Sequence, residues 1–380
     1  MTTSDLVRPF HLEVPQTALD DLAHRLANTR WPERETVGDW SQGARLKDVQ
    51  ALIEHWRTTY DWRRCEKMLN GFGQFQTAID GLELHFLHVR SPHANALPML
   101  LTHGWPGSVI EFHKVIGPLV DPTAHGGDAA DAFELVIPSL PGYGFSAKPS
   151  APGWNIQRVA KAWVTLMERL GYSRWVAQGG DWGSLVTTEI GALAPRSLGG
   201  IHVNMVTIPF PETLKDPTPA EQAALVDIKR YSDQDSAYAK QQGTRPQTLA
   251  YGLTDSPAGQ ASWIYEKFRE WTDCGGQPET VFTRDEMLDN IMLYWLPATG
   301  GSSGRLYWEA FRSHARPKVD VPTGVSVFPH ELFRPSRRWA ETSLRNIIHW
   351  NELDRGGHFA AFEQPALFVE ELRACFRKLR

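Results

Sequence analysis

Three cysteines among 380 residues, Cys65, Cys274 and Cys375, are odd in number and far apart. That excludes a disulfide framework, argues against a zinc site, and fits a reducing compartment, read here as the cytoplasm. Long apolar runs are missing as well. None approaches the roughly 18 residues that span a bilayer, and Met1 to Asp5 do not begin a basic-then-apolar signal, so no membrane anchor is expected. Basic residues are never gathered into runs of five or more and the formal net charge is −5, so neither nucleic acid nor an anionic membrane is indicated as a partner. The 14 histidines include no His-x-x-x-His or His-x-x-Glu-His spacing, which leaves no metal motif. No internal repeat or low-complexity tract is present. These absences leave open a globular protein that handles a small, largely apolar molecule; no metal or cofactor is expected, and a homodimer is the assembly kept open.

Against this background the chain is rich in tryptophan, with 15 residues to bury in cores or apolar pockets. Residues 1–75 read as a helical leader. Pro15 opens a helix with Leu19, Leu22 and Leu26 in phase and Trp31-Pro32 as its stop. A second helix carries Leu46, Val49, Ile53, Trp56 and Tyr60, and a third runs from Trp62 to Asn70. So small a unit seldom sustains a core alone and is expected to lie on the next domain. From about residue 76 strands and helices alternate, which predicts an α/β fold on a mostly parallel sheet. The expected strands are 82–88, 98–103, 133–138, 174–178, 200–205, 323–328 and 346–350. Between 207 and 317 only helices are read, including one from Arg284 to Trp295 with a capping box at Thr283 and Glu286. The expected division is therefore leader 1–75, core 76–206, helical cap 207–317, and returning core 318–380.

The chemistry centres on Gly179-Gly180-Asp181-Trp182-Gly183, where a strand turns into a helix. Gly-x-Asp-x-Gly meets the needs of a nucleophile elbow, whose tip residue has a strained backbone and whose flanking glycines let strand and helix pack closely. With aspartate at the tip, the nucleophile is an anion at neutral pH and needs no base to attack a saturated carbon. A solvated turn aspartate is the plainer alternative for the motif taken alone. The ester that such an aspartate forms must be freed by water, so a base and its orienting acid are sought on later strand ends. His358, in Gly356-Gly357-His358-Phe359, follows the last strand. Glu331 follows the strand before it and ranks above Asp320 and Asp354. His103-Gly104-Trp105-Pro106 ends the strand at Met99 to Thr102, where backbone N–H groups of Trp105 and Trp182 would form an oxyanion hole. His103, Gly104 and Pro106, with Phe145 in the loop Pro141 to Ser146, are expected to line the mouth.

Together, His103-Gly104-Trp105-Pro106, the Asp181 elbow, the helical insertion, Gly356-Gly357-His358-Phe359-Ala360-Ala361, and the leader motifs Arg8-Pro9-Phe10 and Arg30-Trp31-Pro32 resemble the microsomal-type epoxide hydrolases over nearly the whole chain. The resemblance implies an α/β-hydrolase fold with that family's N-terminal domain. It implies Asp181 as nucleophile, Glu331 as triad acid and His358 as base. It further implies two lid tyrosines on the epoxide oxygen, matched by Tyr307 and by Tyr238, with Tyr251 the alternative to the latter. The implied reaction opens an epoxide to a vicinal diol. A haloalkane dehalogenase, with Trp182 holding halide, and a non-catalytic binding protein on the same fold are the rival readings.

Overall fold

The computed structural model describes residues 6–207, 216–313 and 317–380. The leader opens with β1 (Arg8–Phe10) and continues through α1 (Gln16–Ala27), α2 (Leu46–Thr58) and α3 (Trp62–Gly71). Its helical stripes are buried: Leu22 and Leu26, then Val49, Ile53 and Trp56, then Trp62, Cys65 and Leu69. α1 ends four residues short of Trp31. Asn28 and Thr29 turn their side chains onto the carbonyls of His24 and Leu26 and close the helix there. The leader is not wholly helical, and this corrects the reading above. β2 (Gln74–Ile79) pairs with β1 on one side and with β3 (Leu82–Val89) on the other, both antiparallel. The missed signal is Asp80-Gly81. Both residues have positive φ, 52° and 77°, as a two-residue hairpin turn requires. The division expected at residue 75 falls inside β2.

The core then alternates: β4 (Leu97–Thr102), α4 (His113–Val120), β5 (Phe133–Pro138), α5 (Ile156–Arg169), β6 (Trp175–Gly179), α6 (Asp181–Leu193) and β7 (Leu198–Val203). The cap supplies α7 (Pro219–Arg230), a π-helical turn at Tyr231–Asp235, α8 (Ala237–Thr244), α9 (Pro246–Asp255), α10 (Pro257–Glu270), α11 (Arg284–Trp295) and α12 (Gly300–Ala310). The chain returns with β8 (Thr323–Val327), α13 (Arg337–Ala340), β9 (Ile347–Glu352), α14 (Ala360–Glu363) and α15 (Pro365–Phe376). Among the described residues the nine strands form one sheet, ordered β1-β2-β3-β5-β4-β6-β7-β8-β9, and every pair from β5 to β9 is parallel. Each expected strand lies within two residues of its observed bounds. The central strands are apolar on both faces, with Met99, Leu100, Leu101, Val176 and Ala177 all buried. The ends of β4, β6, β8 and the loop after β9 therefore converge on one rim, where such sheets hold ligands. Met1 to Asp5, and the expected cap limits at 207 and 317, fall in or against the undescribed segments 1–5, 208–215 and 314–316.

The leader grips the cap as well as the sheet edge. Arg64 Nη2 donates to both oxygens of Asp289 on α11 at 2.7 Å, Tyr60 donates to the same carboxylate at 2.8 Å, and His55 Nε2 meets Asp285 at 2.7 Å. The Asp289 side chain is 2% exposed. Its burial pushes the carboxyl up to about 6 against the pull of Arg64 and Tyr60. Arg64→Met would strand this carboxyl, so we expect a loss of about 1–3 kcal/mol in urea unfolding. The sign with pH follows from linkage. Without Arg64 the folded pKa rises further above that of the unfolded chain, so the deficit should be larger at pH 8 than at pH 5. An equal deficit at both would mean that Asp289 does not carry the effect.

Candidate active site

Asp181 is the first residue of α6 and holds φ at 49°, a region costly for a residue with a Cβ. Tight packing enforces the turn. A Cβ on Gly183 would lie 1.9 Å from the Thr102 carbonyl oxygen, and one on Gly104 would lie 2.1 Å from Asp181 Oδ1. β4 and α6 thus touch backbone to backbone, which brings the Trp105 N–H to Asp181 Oδ1 at 2.7 Å. The α6 N-terminus also favours negative charge at this point.

His358 comes to the other carboxylate oxygen from the loop after β9. Its Nε2 is 3.4 Å from Asp181 Oδ2, and its Nδ1 is 2.7 Å from Glu331 Oε1. The loop is held by the segment that follows α10. Gly356 takes φ of 95° and donates its N–H to Asp273, and the His358 N–H donates to the Trp271 carbonyl at 2.8 Å. Glu331 is fully enclosed and also accepts the Leu332 N–H at 2.7 Å. Burial is the largest influence on His358 and opposes its charged form. The carboxylates of Glu331 and Asp181 outweigh it and hold the imidazole well above the usual histidine range. Asp320 and Asp354, the lower-ranked acids, pair instead with Arg345 and Arg355 on the surface.

The two tyrosines come down from the cap. Tyr238 on α8 stacks on Trp105 at 4.9 Å and 11°, and Tyr307 on α12 meets Trp182 edge-on at 4.6 Å. Their rings lie 5.8 Å apart. Burial, with Asp181 nearby, keeps both phenols well above their ordinary pKa, so both hold their protons. Tyr251, the alternative, is 70% exposed on α9. Its helix places Ala250 and Leu253 inward, so Tyr251 takes the solvent side.

The expected mouth residues divide. Gly104 and His103 do line the cavity at Asp181. His103 is occupied structurally, with Nδ1 on the Gly104 carbonyl and Nε2 near the Leu140 N–H, and burial pushes its pKa down to about 4. Pro106, joined to Trp105 by a cis bond, gives its carbonyl to Asn290 of α11 at 2.7 Å. Phe145 is misplaced in the sequence reading. It packs on Phe10 and His85 beneath β1, because the leader strand covers that loop. Tyr143 from the same loop takes the inner position, fully buried near Asp181, with its hydroxyl on the Ser303 carbonyl.

Three residues escaped the sequence reading. Trp271, at the end of α10, stands 4.9 Å from the His358 ring and 5.1 Å from Tyr238. Tyr231 hydrogen-bonds Tyr238. Glu111 follows the Trp105 turn and lines, with Asp181 and His358, a cavity of about 20 Å³ in the space open to a water's centre. That volume admits roughly one water. Burial first, then the charges of Asp181 and Glu331, push Glu111 up to about 8 against the effect of His358. Its only sequence signal was a carboxyl seven residues beyond Gly104, which no spacing rule marks. Among the described residues no group of three His, Cys, Asp or Glu could hold a metal, and no helix is long and apolar enough to cross a membrane.

Two family models match the chain: "Epoxide hydrolase N terminus" over residues 7–112 and "alpha/beta hydrolase fold" over residues 98–253. A relative from Stigmatella aurantiaca (strain DW4/3-1) is 60% identical, covering 98% of this chain and 86% of its own. Epoxide hydrolase 1 of Sus scrofa is 36% identical over 97% of this chain and 88% of its own. The crystal structure of juvenile hormone epoxide hydrolase from Bombyx mori superposes with a TM-score of 0.90 at 30% identity, covering 99% of this chain and 95% of that one. An aspartate elbow under a tyrosine-bearing cap, in a chain this similar to known epoxide hydrolases, makes the protein a member of the epoxide hydrolase family, with the N-terminal domain of that family joined to an α/β-hydrolase fold.

Proposed function

We propose that this epoxide hydrolase works through an ester on Asp181, and that its substrate is a small, largely apolar epoxide. The observation that carries the reading is the division of labour on one carboxylate. Oδ1 accepts the Trp105 N–H at 2.7 Å, while Oδ2 faces His358. Oδ2 is the attacking oxygen, and Oδ1 becomes the ester carbonyl already seated in its hole. Tyr238 and Tyr307 donate to the epoxide oxygen as its C–O bond breaks. His358 then takes a proton from water, which attacks the ester carbonyl carbon. The N–H groups of Trp105 and Trp182 steady the anion, and collapse frees the diol. Protons balance: the first step consumes one at the epoxide oxygen, and the second releases one when the Asp181 carboxylate is restored. Walls of Trp105, Trp182, Trp271 and Tyr143 favour an apolar substrate body. A reducing, cytoplasmic setting suits the three buried free cysteines.

The two half-reactions make different demands on His358. In the resting enzyme both flanking carboxylates keep its proton on; once Asp181 is esterified, one of those charges is gone and the imidazole can turn base. The neutral Glu111 shares the water-sized cavity with these groups and is suited to hold the attacking water.

Single turnover in oxygen-18 water should put label into the Asp181 carboxylate, and His358→Gln should accumulate an adduct of the substrate's mass. Label confined to the diol would overturn the ester route, and halide release from haloalkanes with no diol from epoxides would restore the dehalogenase reading. The pKa that governs ester hydrolysis should lie below the pKa of His358 read by NMR in the unreacted enzyme, since the ester carries no charge. Glu111→Ala should slow ester hydrolysis by about tenfold, the worth of one hydrogen bond, while Glu111→Gln, a neutral acid's near isostere, should stay close to wild type. Equal slowing of alkylation would remove Glu111 from the water site.

A further inference from the structure

The two lid tyrosines differ in what stands behind them. Among the described residues the Tyr307 hydroxyl has no hydrogen-bond partner, and its ring is held by edge contacts to Trp182 and Trp105. The Tyr238 hydroxyl lies 2.9 Å from that of Tyr231. Tyr231 begins the π-helical turn Tyr231–Asp235 that separates α7 from α8, and its ring packs on Phe333 at 5.3 Å. Residues seven apart on an uninterrupted α-helix stand about 10.5 Å apart along its axis. The wide turn interrupts that geometry, and such turns gather at functional sites. A cation stands on the ring of the same tyrosine. Lys267 Nζ is 4.6 Å from the Tyr238 centroid, with its side chain 3% exposed and its ammonium held by Asp235 and Glu266. Asp235 is fixed in turn by the Trp271 Nε1–H.

Two hydroxyls at hydrogen-bond distance share one proton between them, so which is donor depends on what else each must do. If Tyr238 gives its hydrogen to the epoxide, its oxygen can only accept, and Tyr231 must donate to it. Resting on the reading of Tyr238 and Tyr307 as epoxide-facing donors, we propose that Tyr231 is a positioning residue that fixes the Tyr238 hydroxyl toward the substrate and makes Tyr238 the proton donor, while Tyr307 contributes a hydrogen bond alone. The epoxide C–O electron pair goes to oxygen, which takes the Tyr238 proton as Asp181 Oδ2 bonds to carbon. The charge left on the Tyr238 oxygen is met by the Tyr231 hydroxyl and by the Lys267 ammonium on the ring face. The proton released when the Asp181 carboxylate re-forms restores the phenol, so nothing further is consumed.

Tyr231→Phe removes the hydroxyl and keeps the packing on Phe333. Its alkylation rate should fall by about tenfold in stopped-flow single turnovers, as for one lost hydrogen bond, with ester hydrolysis unchanged. The discriminating readout is a pair of epoxides of similar size. One carries an alkyl group and the other a trifluoromethyl group, whose alkoxide is weaker as a base and needs the proton less. The Tyr231→Phe defect should be larger for the alkyl epoxide. Equal defects with both would mean a structural role and overturn the proposal, as would wild-type alkylation with both. Tyr238→Phe separates the lid role from the positioning role. If it alkylates normally, the lid reading itself fails; if it is impaired while Tyr231→Phe is not, only the positioning role falls.

Discussion

The imidazole of His358 stands between two carboxylates, Glu331 at 2.7 Å and Asp181 at 3.4 Å, inside a site that water barely reaches. Burial alone would strip its proton, and the flanking charges prevent that. Esterification of Asp181 removes one of those two influences midway through the reaction. One of the two groups that keep the histidine protonated is thus the group that the substrate neutralises. Placing three ionisable side chains this close demands backbone precision. The contact of β4 with α6, where Gly183 and Gly104 leave no room for a Cβ, supplies it at one end. At the other end the cap supplies it, through Trp271 and Asp273 on the loop that carries His358. Glu363 joins that clamp by accepting the Asp273 N–H, and burial pushes its own pKa up to about 7.

What the sequence made legible follows from how local each signal is. Asp181 was readable because its strained turn needs glycines at fixed offsets, and His358 because it sits in a glycine-rich turn after the last strand. The parallel strands were readable because burial on both faces leaves continuous apolar runs such as Met99 to Leu101. β2 was not, since Gln74, Gln76 and Thr77 make it look polar. Yet Gln74 is buried on His85, and Arg169 reaches Thr77, so its polar side chains are satisfied inside the fold. Glu111, Tyr231 and Trp271 owe their positions to contacts that span from about 70 to nearly 250 residues of chain or to a single irregular turn, and no periodicity encodes either. Tyr251 and Tyr238 could not be told apart by spacing; α8 buries Tyr238 while α9 turns Tyr251 to solvent, a difference of facing set only in the assembled cap.

The aromatic walls do two jobs that conflict in most settings. Trp105, Trp182, Trp271, Tyr238 and Tyr307 pack ring against ring and form the apolar surface on which the proposed substrate would lie. The same burial raises the phenols far above neutrality and keeps their protons available. An apolar wall normally offers nothing to a developing alkoxide. In the proposed reaction the two phenols, whose rings lie 5.8 Å apart, are themselves part of the wall, so no solvent must reorganise as charge appears.

The leader enters this chemistry through two neighbouring residues of α11. Asp289 faces outward to Arg64 and Tyr60. Asn290 faces inward, donating to the Pro106 carbonyl at 2.7 Å and accepting from Ser108 at 2.7 Å, and one turn further on Tyr294 donates to the Gly107 carbonyl. The turn that presents the Trp105 N–H to Asp181 is thus braced by a cap helix, and that helix is braced by the leader. An oxyanion hole built from backbone N–H groups cannot be tuned by its own side chains. Its position is set by whatever holds the backbone, and for the hole proposed at Trp105 that support runs outward through α11 to the leader, none of whose described residues lines the cavity at Asp181.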